Sequence, residues 1–161
     1  MEGGFYAIID PAHWGGRSPV DVAQQVLSGG AAVLQLRMKT GSDRERVQLA
    51  RALRELTRAA RVPFVMNDRA DLALLVDADG LHLGQDDLSI ADARRLLGAR
   101  QLGVSTHDLA QALAAERDGA DLIGFGPVFD TQTKERPDPT VGLATLAEVC
   151  RTVRVPVVAI G

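Results

Sequence analysis

The sequence predicts an α/β protein of the (β/α)8-barrel type, and three observations carry the prediction. Short apolar runs alternate with longer amphipathic stretches along the chain, the pattern of a parallel sheet covered by helices. The runs begin roughly 20 to 30 residues apart, the length of one βα unit, with no linker or low-complexity stretch between them. Polar and charged residues gather at the C-terminal ends of the runs, the end where a barrel of this type builds its active site. An open doubly wound sheet would also alternate, but the unbroken single-strand repeat favours the barrel.

The expected strands are 5–9, 32–36, 63–66, 80–83, 101–104, 122–125 and 155–160. Each is apolar on both faces, as a buried parallel strand must be. After the first strand, Ser18-Pro19 reads as an N-cap followed by proline in the first helical turn. Gly29-Gly30 precedes the second strand and Gly119 the sixth, where glycine permits the left-handed turn that ends a helix. Between the second and third strands, residues 43–60 form an amphipathic helix: Val47, Leu49, Ala50, Leu53 and Leu56 recur at helical spacing. Its arginines, Arg44, Arg46, Arg51, Arg54 and Arg58, read as a solvated face, and the intervening Glu45 and Glu55 argue against a nucleic-acid stripe. Ser89 and Asp92 mark the helix after the fourth strand. Residues 131–141, with Pro137 and Pro139, form the longest irregular connection and the best candidate to close over a ligand. Seven strands are legible where a closed barrel needs eight, and the seventh meets Gly161. The expectation is therefore a single incomplete (β/α)8-barrel domain over residues 1–161, lacking its last βα units and part of a longer protein.

Composition narrows the class of function. With 161 residues, 46% hydrophobic and 24% charged, the chain can bury a substantial core as one domain. A net charge of -3 argues against a surface built to neutralise a nucleic-acid backbone. Cys150 is the only cysteine, which excludes an intrachain disulfide and fits a reducing cytoplasm. The N-terminus lacks the pattern of a secretory signal, and no apolar run approaches a membrane span. The expected partners are small-molecule substrates rather than nucleic acid or membrane, with a homo-oligomer left open.

The chemistry lies at the strand ends. Asn67-Asp68 closes one apolar run, and Asp87 closes the next segment. Two carboxylates delivered by successive strands can converge on one hard cation, as Mg²⁺ requires when it also holds substrate phosphates. Arg37 offers a planar fork for phosphate oxygens, and Lys39 and Lys134 offer compact charges, enough to neutralise a diphosphate. Departure of a diphosphate develops negative charge that such cations stabilise. Asp68 alone could equally be a helix N-cap, and Asp86 competes with Asp87 for the metal role.

Several motifs together carry a family resemblance. Leu34-Gln35-Leu36-Arg37-Met38-Lys39, Asn67-Asp68-Arg69, the run from Gly80 to Leu88, Gly103-Val104-Ser105-Thr106-His107, and the run from Gly124 to Lys134 resemble thiamine phosphate synthase, in its order and spacing. The resemblance implies a barrel that transfers the pyrimidine-methyl group of hydroxymethylpyrimidine diphosphate to thiazole phosphate, assisted by Mg²⁺. It implies Asp68 and Asp87 as metal ligands, and Gln35, Leu36, Arg37, Met38, Lys39, Asn67 and Lys134 around the pyrimidine diphosphate. Ser105 would contact the pyrimidine, so that Arg37, Lys39, Ser105 and Lys134 would carry catalysis. Thr131, Gln132 and Thr133 would hold the thiazole phosphate, with Gly161 in the same phosphate pocket. Met38 departs from the family, whose members usually carry an acid there, and makes the local field more positive.

Other residues read more plainly. His82, inside an apolar strand, reads as a core histidine; His107 either lines the pocket or caps the next helix. Cys150, near Val149 and Val153, reads as buried packing, while His13 and Trp14 either shield the site or pack the first loop. A thiazole tautomerase of the related branch and an inactive ligand-binding remnant are the alternative functions.

Overall fold

The computed structural model describes residues 3–13, 15–130 and 139–161. Among these lie seven strands and six helices: β1 (Phe5–Ile9), α1 (Pro19–Ser28), β2 (Ala31–Leu36), α2 (Asp43–Ala60), β3 (Phe64–Asn67), α3 (Ala70–Leu75), β4 (Gly80–Leu83), α4 (Ile90–Leu97), β5 (Gln101–Thr106), α5 (Leu109–Arg117), β6 (Leu122–Phe125), α6 (Gly142–Thr152) and β7 (Val157–Ala159). A single 3₁₀ turn, Pro11–His13, follows β1. The alternation matches the predicted order, with β7 shorter than expected. No helix among the described residues is long and apolar enough to cross a membrane.

The chain divides into two compact units, Met1–Leu81 and His82–Gly161. In the first, β1 pairs β2 and β2 pairs β3, all parallel. Val33, Leu34, Leu36, Phe64, Val65 and Met66 are buried, so neither face of β2 and β3 is left to water, whereas β1 leaves Phe5 exposed. Helix α1 begins where expected: Ser18 accepts from the Asp21 amide at 3.3 Å and Pro19 takes the first turn. Gly30 after it adopts φ 86°, whereas Gly29 keeps an ordinary φ of -78°. Helix α2 opens on a reciprocal capping box between Ser42 and Glu45, worth about 1 kcal/mol. It ends at Arg61 in the left-handed region without a glycine.

In the second unit β5 pairs β6 and β6 pairs β7, again parallel. Val104, Ala112, Ala115, Ile123, Phe125, Val149 and Val153 form one buried cluster between these strands and helices α5 and α6. Cys150 corrects an expectation, for it is exposed. One residue after the buried Val149, it is turned about 100° around the helix, away from the core stripe.

Both units use the same device at the strand N-termini. The Asp79 carboxylate accepts from the Phe64 amide at 2.8 Å and takes the Arg54 fork at 2.6 and 3.0 Å. Asp121 accepts from the Leu102 amide at 2.8 Å and from Arg94 at 2.7 Å. Each acid takes up a backbone amide at a strand start and ties it to a helix through an arginine. Arg54 and Arg46 thus depart from the solvated face predicted for α2: their side chains are only 11% and 16% exposed. Arg44, Arg51 and Arg58 are exposed as expected.

Candidate functional site

The first unit assembles a polar cluster at the C-terminal ends of β1, β2 and β3. Leu36, Met38, Lys39, Met66, Asn67 and Asp68 line a cavity of about 120 Å³, joined by Arg46 and Arg69. The Lys39 ammonium pairs with the Asp68 carboxylate. Asp68 itself holds φ 61°, and the Arg69 amide donates across it to the Asn67 carbonyl at 2.7 Å. This is the rarer, positive-φ form of the γ-turn, a conformation that costs a side-chain-bearing residue free energy and is found preferentially at functional sites.

Two arginines that the sequence reading did not assign to this cluster brace it. Arg46 donates from Nε to the Met38 carbonyl at 3.1 Å and from Nη2 to the Lys39 carbonyl at 3.2 Å, and pairs with Asp43 at 2.8 Å. Arg69 reaches Asp43 at 2.7 Å and Asp71 at 2.7 Å. The bonds from Arg69 and then Arg46 hold the Asp43 carboxyl below the usual carboxylate range, and Arg69 does the same for Asp71. The loop carrying Lys39 is thereby pinned to α2. Nothing in the charge pattern of α2 separated Arg46 from its exposed neighbours; only its position facing the β2 loop does.

Gln35 and Arg37 take different partners. Gln35, buried, donates from Nε2 to the Tyr6 hydroxyl at 2.9 Å, which leaves its Oε1 as the acceptor for other groups. Burial pushes the Tyr6 hydroxyl up to about 12, against the opposing effect of the Gln35 bond. A neutral acid favoured by the fold contributes its stability in full below the unfolded value of 10.0 and loses it as pH rises through about 12. Tyr6 is the chain's only tyrosine, so phenolate absorbance should titrate near 12 in the native protein and near 10.0 in denaturant. The alkaline loss of stability should be smaller in Tyr6→Phe; a native titration near the denatured one would refute the assignment. Arg37 pairs through Nη1 with Asp10, an acid to which the sequence reading gave no role.

The second unit places the remaining described candidates. Ser105 Oγ lies 2.9 Å from His82 Nε2, and its carbonyl accepts from Gln85 at 2.6 Å. His82 is buried, as expected of a core histidine. Its ring fits because β5 and β6 carry glycines beside it: a Cβ on Gly103 would stand 2.6 Å from Nδ1, and one on Gly124 3.0 Å from Cε1. The Asp87 carboxylate accepts from the Gly84 amide at 2.6 Å. His107 does not cap α5; Asp108 does, accepting from the Gln111 amide at 2.7 Å. The His107 ring instead meets the Gly126 carbonyl through Nδ1. Gly161 adopts φ 101°, its backbone close against Pro127. Thr131, Gln132, Thr133 and Lys134, like Trp14, lie outside the described residues.

Comparison with known proteins identifies the family. Residues 5–161 match a family model described as thiamine monophosphate synthase. A thiamine-phosphate synthase of Chloroflexus aurantiacus is 49% identical over 97% of this chain and 72% of its own length. One from Shouchella clausii is 45% identical over 97% of this chain and 75% of its own. Among solved structures, a thiamine phosphate pyrophosphorylase from Pyrococcus furiosus superposes with a TM-score of 0.88 at 36% identity, covering 98% of this chain and 74% of that one. The fold class is therefore the (β/α)8-barrel one that the alternation predicts.

Proposed function

This chain belongs to the thiamine monophosphate synthase family, and on that premise we propose that it joins a hydroxymethylpyrimidine diphosphate to a thiazole phosphate, releasing diphosphate. The observation that carries the reading beyond family membership is the cluster in which Lys39 engages Asp68 beside Asn67, at the rim of one cavity. It supplies a fixed cation and a carboxylate where a metal-bound diphosphate needs both. The tautomerase alternative is not favoured, since the relatives named above are synthases.

In the reaction, the bond from the pyrimidine methylene to the diphosphate oxygen breaks and the oxygen keeps both electrons. The thiazole nitrogen then donates its lone pair to the pyrimidine-methyl cation. Arg37 and Lys39 set positive charge where the departing oxygen becomes negative, and Lys134 is assigned to the same task. Such preorganised charge acts on the transition state more than on the bound substrate. Ser105, fixed by His82, and Gln35, fixed by Tyr6, are suited to orient the pyrimidine ring. Thr131, Gln132, Thr133 and Gly161 are assigned to the thiazole phosphate.

Asp68 and Asp87 are the residues that would hold Mg²⁺, which when bound supplies Lewis-acid stabilisation of the diphosphate. Both side chains are carboxylates, the hard oxygen donors that Mg²⁺ takes. Such a sparse set suits an ion that keeps waters and takes substrate phosphate oxygens, rather than one caged by protein. A reducing, cytoplasmic setting belongs to the same reading, in keeping with a single cysteine.

The test is direct. Given both substrates and Mg²⁺, the protein should form thiamine phosphate and diphosphate in equal amounts. Turnover of the thiazole substrate with no diphosphate released would overturn the reading.

A further inference from the structure

Asp10 sits where β1 ends, 9% exposed, and every part of its carboxylate is engaged. Oδ1 accepts from the Ala12 amide at 3.1 Å, while Oδ2 meets Arg37 Nη1 and lies 3.3 Å from His13 Nδ1. Its carbonyl accepts from the His13 amide at 3.0 Å, and the Arg37 amide donates to the neighbouring Ile9 carbonyl at 2.9 Å. Both ends of the Asp10–Arg37 pair are thus anchored to backbone before the side chains meet.

We propose that Asp10 is a positioning residue for Arg37, holding its guanidinium in the orientation that receives the substrate diphosphate. The inference rests on the reading of Arg37 as a diphosphate ligand. An arginine side chain is long, and immobilising it on binding costs conformational entropy. A buried carboxylate on Nη1 removes much of that freedom in advance and leaves the donors of Nε and Nη2 for phosphate oxygens. The pair also explains why an acid stands in a site built for an anion. Through space, Asp10 repels phosphate; through Arg37, it presents the fork.

Those two effects have opposite signs, which makes the proposal testable. Isothermal titration of the full chain with inorganic diphosphate and Mg²⁺ would compare wild type, Asp10→Asn, Arg37→Ala and the double variant. Asp10→Asn removes a repelling charge yet should weaken diphosphate binding roughly tenfold, within the coupling range of residues in contact. In the Arg37→Ala background the same change should have little further effect. Asp10→Ser, whose hydroxyl can still accept from the Ala12 amide, serves if the asparagine variant folds poorly, and should weaken binding similarly. In steady state the KM for the pyrimidine diphosphate should rise while that for the thiazole phosphate stays put. A merely structural loss would lower the active fraction and leave both KM values alone. Unchanged or tighter diphosphate binding in Asp10→Asn and Asp10→Ser, with binding weakened in Arg37→Ala, overturns the role of Asp10 alone. Unchanged binding in Arg37→Ala overturns the assignment of Arg37 itself, and the inference with it.

Discussion

Asp68→Asn and Asp87→Asn should each lower Mg²⁺-dependent thiamine phosphate formation by roughly a thousandfold, about 4 kcal/mol of transition-state stabilisation. Asparagine is the informative replacement at position 68. The backbone there holds φ 61°, which asparagine tolerates and alanine does not. An alanine would add backbone strain to the loss of the carboxylate and confuse the two. At position 87 the amide oxygen of asparagine can still accept from Gly84, so the bond now made at 2.6 Å keeps a partner while the charge is lost. Thermal unfolding of both variants should therefore stay close to wild type while activity collapses. Rates near wild type at saturating Mg²⁺ in either variant would remove that acid from the metal role. Loss of activity in step with loss of folded protein would count against a chemical role as well.

Gly126→Ala should destabilise the second unit strongly, by about 3 kcal/mol or more, read as a fall in the urea midpoint at constant slope. A Cβ on Gly126 would lie 2.1 Å from the Ile160 carbonyl oxygen. That oxygen accepts from the Val128 amide at 2.7 Å, while the Ile160 amide donates to Phe125 at 3.0 Å. Nothing at this contact is a flexible side-chain end. Relief requires β7 to move away from β6 and breaks bonds on both sides of the intruding methyl. Gly103 makes a useful contrast, because the atom nearest to an added Cβ there belongs to the His82 side chain and not to backbone. A Gly126→Ala midpoint within experimental error of wild type would mean that the ends of β6 and β7 are not in this close register.

The elements were legible because burial and chain geometry leave a periodic trace. Parallel strands shielded on both faces must be continuous apolar runs, and β1, β4 and β6 occupy the expected residues. Helix α2 runs over the predicted span because its apolar period, its capping box and the following strand signal agree. Strand ends were less legible: β7 covers only Val157–Ala159, since hydrophobicity marks what can be buried and not where ladder bonds stop.

The candidate site divides in the same way. The chain alone pointed to the chemistry, because carboxylates, an arginine and lysines at predicted strand ends are the residue types that a metal-bound diphosphate calls for. The pairing of those groups was decided by tertiary structure. That Arg37 answers to Asp10, Lys39 to Asp68, Gln35 to Tyr6 and Ser105 to His82 depends on residues 23 to 29 positions apart. No local periodicity encodes such distances. Arg46 and Cys150 make the same point from the other side: a helical pattern assigns them a face, but what stands opposite that face decides whether it is buried. Composition and period record what each residue prefers against water, whereas partners are chosen by strand register and by the backbone turn at Asp68, which exist only once the chain has folded.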